Sequence, residues 1–187
     1  LFLFAGTVAE PQVALDRDYL FYGSSYGGKQ VEVVNWPDPA TVRTLPTGHS
    51  TQRVEAMGAH AVVVGAFQGD LHFSAVDLSA QPQLASRYTL PDAAQGETRS
   101  HGFYYRPAGE DRGTLGLPIR HQGGRYASLR DGSASVAFLR NDALPLTPAG
   151  ALDADPEPID DACKASCVDW YGNARPLFIG DRVFALM

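Results

Sequence analysis

Apolar and polar positions alternate over short runs of this chain and almost nowhere recur at helical spacing. Leu71, Phe73 and Ala75 stand against His72 and Ser74, the two-residue period of a half-buried strand. Val62-Val63-Val64 does not alternate, as expected of an inner strand buried on both faces. No window keeps an i, i+3, i+4, i+7 apolar stripe free of Gly or Pro, so the pattern predicts no long helix. The reading is an antiparallel all-β chain of short strands.

The strands recur in register. Tyr19–Gly23 and His60–Gly65 each end in Gly and lead through a glycine-bearing turn (Gly27-Gly28; Gly69-Asp70) into a second strand, Gln30–Trp36 or Leu71–Leu78. Each unit then passes a proline-containing loop into a third strand that closes on Thr44-Leu45-Pro46 or Thr89-Leu90-Pro91. His101-Gly-Phe-Tyr-Tyr105 opens a looser third unit, continued by Gly113–Arg120, Ala134–Arg140 and Leu144–Leu152, and Pro176–Ala185 opens a fourth. An offset of about 41–45 residues suits the four-stranded blade of a β-propeller. Residues 1–187 therefore read as one domain with units near 11–48, 49–92, 97–152 and an incomplete 168–187. A β-sandwich is the structural alternative, since short strands with regular turns describe it too.

Composition narrows the class. Nineteen Gly and thirteen Pro in 187 residues punctuate many short elements, and 44% apolar with 19% charged residues is a globular balance. A net charge of −6 without a Lys/Arg cluster argues against a nucleic-acid partner. No apolar run approaches the roughly 18–20 residues of a membrane-spanning helix. Both ends, Leu1-Phe-Leu-Phe4 and Val183–Met187, read as interrupted strands, so the expectation is a piece of a longer chain.

Candidate chemistry is sparse. Gly23-Ser24-Ser25-Tyr26-Gly27 matches the G-x-S-x-G nucleophile elbow, with Ser25 as nucleophile. An elbow leads into a helix, whereas Gln30–Trp36 is β-branched and strand-like, so a hairpin turn is the better reading and no catalytic residue is assigned. Cys163 and Cys167, the only two cysteines, read as a small disulfide-closed loop, with free thiols and a metal site as the other readings. Asp153, Asp155, Asp160 and Asp161 lie in an acidic stretch that could supply Ca²⁺ with oxygen ligands, against the plainer reading of a solvated loop. No other cofactor is expected. His60 and His101 take similar repeat positions, which favours structural roles. Trp36, Tyr105, Trp170, Tyr171 and Tyr104 suit contacts between blades, and Trp170, Tyr171 and Tyr104 could instead form a ligand platform on one face.

Gly96–Pro107, Gly113–Pro118, Cys163–Met187 and Val62–Leu78 together resemble the C-terminal part of poorly characterised bacterial secreted or cell-envelope β-propeller-domain proteins. The resemblance implies a propeller outside the cytoplasm (periplasmic, cell-surface or secreted) and transfers no catalytic residue. The functional expectation is a non-enzymatic binding or scaffold module of the envelope, holding a protein or glycan partner with loops on a propeller face. Two rivals stand beside it. One is part of a propeller enzyme, a hydrolase or quinone-type dehydrogenase, whose site lies in further blades. The other is a subunit of a larger envelope assembly.

Overall fold

The computed structural model describes residues 11–16, 18–109, 111–121, 134–153 and 174–186. It is all-β, and pairing is antiparallel throughout. Strands β1 (Pro11–Asp16), β2 (Tyr19–Ser24), β3 (Val31–Asn35) and β4 (Val42–Leu45) form one meander. A second comprises β5 (Arg53–Met57), β6 (His60–Phe67), β7 (Asp70–Asp77) and β8 (Gln83–Leu90). The third sheet runs β10 (Tyr104–Pro107), β11 (Arg112–His121), β12 (Ala134–Asp142), β13 (Leu146–Asp153), with β9 (Ala93–Gln95) also paired to β11. A hairpin of β14 (Arg175–Ile179) and β15 (Arg182–Leu186) follows. Among the described residues no helix is long and apolar enough to cross a membrane.

The sheets stack in chain order, and the middle one is covered on both faces. Val62, Val64, Leu71, Phe73 and Ala75 point one way, onto Leu115, Leu117, Ile119, Ala137 and Leu139 of the third sheet. Ala61, Val63 and Val76 point the other way, onto Phe21, Val31, Val33 and Leu45 of the first. This is why residues 62–64 do not alternate: both sides of β6 are interior, and all three valines are fully buried. Outer strand β8 keeps one wet face and alternates along its length. Burying Phe73 or Leu71 fully is worth about 1.5–3 kcal/mol each, so the two interfaces hold the stack together. Along one side of the stack β1 approaches β5, β5 approaches β10, and β10 approaches β14. The second and third sheets carry the same irregularity between their last two strands. A bulge falls at Ala75/Val76 against β8 and another at Phe138/Leu139 against β13.

The third sheet corrects the sequence reading. His101-Gly-Phe-Tyr-Tyr105 is not one strand: Ser100–Gly102 form a 3-10 turn, and the strand is Tyr104–Pro107. β9 and β10 lie on the same edge of β11, and residues 96–103 loop out between them opposite Leu117 and Pro118. The step from His60 to Arg112 that superposes β6 on β11 carries His49, not His60, onto His101. Pro118 explains why the excursion sits there. Its carbonyl accepts from Gly96 N–H (2.9 Å), so its nitrogen faces the same edge, and a proline nitrogen has no proton to donate. The partner strand departs where the donor is missing.

Candidate functional site

Two turns make the walls of a concavity in the first half of the chain. Between β2 and β3, Ser24 Oγ accepts the Tyr26 N–H (3.2 Å) and donates to the Tyr26 carbonyl (2.6 Å), while Gly27 takes φ +72°. This closed turn pushes Tyr26 outward until it is 80% exposed. Between β6 and β7, Gln68 and Gly69 both have positive φ (54° and 91°), the two-residue turn whose twist matches a hairpin. Added Cβ atoms at Gly27 and Gly69 would meet nothing within 4 Å, so both rims stay open. The groove between the turns holds about 300 Å³ and is lined by Ser25, Tyr26, Lys29, Gln52, Phe67 and Gln68 with small residues between them. That volume is at the lower end of ordinary ligand pockets, roughly 300–1,000 Å³.

Among the described residues Lys29 is the only charged one lining the groove. Its ammonium lies over the Phe67 ring, 4.2 Å from the centroid. Behind Phe67 the rings continue inward: His72 is 6.5 Å from Phe67, and His49 stacks on His72 at 5.3 Å with 7° between planes. His49 Nδ1 donates to the Ser50 carbonyl (2.7 Å), which leaves Nε2 to accept from Ser74 Oγ (2.7 Å). Burial lowers the His49 pKa to about 4; the Ser50 bond opposes the shift, and His72 and Arg87 add to it. The imidazole is therefore neutral at pH 7. A serine bonded to a histidine is the arrangement of an activated nucleophile, yet Ser74 is wholly buried and the other imidazole nitrogen faces a backbone carbonyl. This pair is a structural clasp between β7 and the segment entering β5.

A second polar seam joins the middle and third sheets. Arg53, nearly buried on β5, donates to Gln95 Oε1 (3.0 Å), to the carbonyls of Glu97 (3.1 Å) and Arg99 (2.8 Å), and to Glu55 (2.8 Å). Burial pushes the Glu55 carboxyl up, with Arg53 pulling against it. Glu97 is also buried. Desolvation raises its pKa, but the Arg99 backbone N–H, the Arg99 guanidinium and His101 together outweigh that and leave the carboxyl below its usual range.

The residues singled out from sequence fall in different places. Ser25 lines the groove, but strand β3 follows the turn where an elbow needs a helix. Tyr104 is half exposed and stacks on Phe178 (5.3 Å), with the Arg106 guanidinium over the same Phe178 ring (5.1 Å). Trp36, expected at a contact between blades, stands out in the β3–β4 turn and is more than half exposed. His60 and His101 are not equivalents. His60 is buried at the head of β6, where Nδ1 accepts from Leu78 N–H (3.3 Å) and Nε2 donates to Asp111 (3.0 Å), whereas His101 is exposed and faces Glu97. Asp153 ends β13 opposite Ser135. Cys163, Cys167, Trp170, Tyr171, Asp155, Asp160 and Asp161 lie outside the described residues. Among the described residues no group of three or more His, Cys, Asp or Glu side chains is arranged to hold a metal ion.

Sequence reasoning missed Tyr26, Lys29, Phe67 and His49. A signal for one was present. An aromatic inside a Gly-Ser turn is not required by the turn, and at its apex the ring is left in water. Comparison with protein-family models, with curated proteins and with solved structures finds no match to this chain.

Proposed function

We propose that the chain is a non-catalytic glycan-binding module, built of propeller-type four-stranded blades and working in the bacterial envelope. The observation that carries it is the groove between the turns at residues 24–30 and 67–69. It offers an outward Tyr26, the face of Phe67 and the amides of Gln52 and Gln68 on a rigid double-sheet frame. Sugar recognition asks for this combination: an aromatic face for the C–H side of a pyranose, and amide or hydroxyl groups for its alcohols. Propeller geometry is supported by the stacking order. A two-layer sandwich covers one face of each sheet, whereas β5–β8 is covered on both, and the first strands of successive sheets approach one another on one side. The envelope location rests on the resemblance of the sequence.

The reading is tested by titrating isotope-labelled protein with a panel of short neutral and acidic oligosaccharides. Binding should shift amide resonances of 25–29, 52 and 67–69 first, and Tyr26→Ala should weaken it roughly tenfold, the loss of one stacking platform. A panel in which no sugar moves these resonances sinks the glycan reading.

A further inference from the structure

We infer that the groove selects carboxylate-bearing sugars over neutral ones, with Lys29 reading the charge. The inference rests on the glycan-binding reading and specifies its ligand. On a chain carrying 21 acidic and 15 basic residues, the groove holds one lysine and no Asp or Glu. No ion pair joins Lys29 to a carboxylate among the described residues; its ammonium rests on the Phe67 ring. That ring is also the face on which a pyranose stacks. A sugar that takes the Phe67 face must lift the ammonium off it, and the cation–π attraction is then lost. A neutral sugar returns to the ammonium only the weaker hydrogen bond of a hydroxyl oxygen. A uronate carboxyl returns a charge-assisted hydrogen bond to the displaced Nζ, so the same movement becomes favourable. The Phe67–Lys29 contact is thus a discriminator as well as a binding surface.

The neighbours fit an acidic sugar. Gln52 Oε1 is already taken by the Gln95 amide (3.0 Å), which leaves the Gln52 Nε2 protons for a ligand acceptor. Gln68, exposed at the turn apex, offers a second amide. The groove is a cleft between two turns rather than the flat patch of roughly 800 Å² per partner that a standard protein interface covers.

The experiment is calorimetric titration with a short oligogalacturonate and with its methyl ester, which share ring stereochemistry and differ in charge. Wild-type protein should bind the acid roughly tenfold more tightly than the ester, the worth of one charge-assisted bond. Lys29→Met should bring the two affinities together, Lys29→Arg should retain most of the preference, and added salt should weaken only the acid. Equal binding of acid and ester, or a preference that survives in Lys29→Met, overturns the inference and leaves the glycan reading standing. So does a neutral sugar binding at the groove when neither probe does. Failure of every sugar in the wider panel overturns both. Tyr26→Ala serves as the site control: acid binding that it leaves unchanged lies elsewhere and also overturns the inference.

Discussion

Ser74 Oγ donates to His49 Nε2 across 2.7 Å, and neither side chain reaches water. The bond ties the centre of β7 to the segment that enters β5, and it exists only while His49 is neutral. The sign of the pH dependence follows. The folded-state pKa of about 4 lies below the ordinary 6.5, so the unfolded chain binds the proton more readily. This contribution is complete above about pH 6.5 and is lost as pH falls toward 4, with a ceiling of about 3 kcal/mol. Urea midpoints measured across that range should fall with acidification. In His49→Gln, which cannot charge, this part of the slope should disappear; an unchanged slope would place the acid sensitivity elsewhere.

Thr51 gives the opposite case. Its Oγ1 is buried with no hydrogen-bond partner among the described residues, and it packs against Gly23. Thr51→Val keeps the shape and removes an orphaned polar atom, so stability should be unchanged or rise by about 1 kcal/mol. Ser74→Ala, by contrast, strips His49 of its donor and should cost about 1–3 kcal/mol. Thermal unfolding of the two single variants separates them: a loss in Thr51→Val comparable to Ser74→Ala would mean the hydroxyl has a partner.

Gly65 is fixed by space. A Cβ there would overlap the Ser50 carbonyl and come within 2.8 Å of His49 Nδ1. Gly65→Ala should therefore destabilise by roughly 1–3 kcal/mol and lower expression, because the Ser50 carbonyl and the buried His49 ring are hydrogen-bonded to each other and have little room to retreat. A Gly65→Ala variant melting with the wild type would contradict the close approach of β6 to residues 49–50.

Arg53 holds the 96–103 excursion by three bonds to Gln95, Glu97 and Arg99. Arg53→Met leaves two carbonyls, the Gln95 amide oxygen and the Glu55 carboxylate without their donor and should cost roughly 3–5 kcal/mol, with hydrogen exchange accelerating first at 96–103. Arg53→Lys should rescue little, since one ammonium cannot span a fork of acceptors. Uniform exchange acceleration across all sheets would count against a local latch.

The strand pattern was readable because each strand carries its own signal. Alternation in Leu71–Ala75, the run at Val62–Val64 and the Gly-bearing turns depend on residues close in sequence. The third sheet was harder because its first strand is split, and no local pattern says that Ala93–Gln95 and Tyr104–Pro107 share one edge of β11. Pro118 was the available clue, an anomaly in a central strand that only an interrupted neighbour resolves. The groove was not legible for a related reason. Its walls come from two turns of different sheets, and what joins Tyr26 and Lys29 to Phe67 is the packing of one sheet on the next. Sequence drew attention to the same turn, Gly23–Gly27, for Ser25, when its outward residue was the tyrosine beside it.

The matched pair of Pro118 and the outlooped segment also constrains which changes to this chain the third sheet can absorb. Deleting 96–103 would restore an unbroken edge strand and set it against a residue with no proton to give. Replacing Pro118 alone would supply a donor facing a strand that has already turned away. Each single step is penalised by the other feature, so a shorter connection from β9 to β10 is reached at least cost by altering both together.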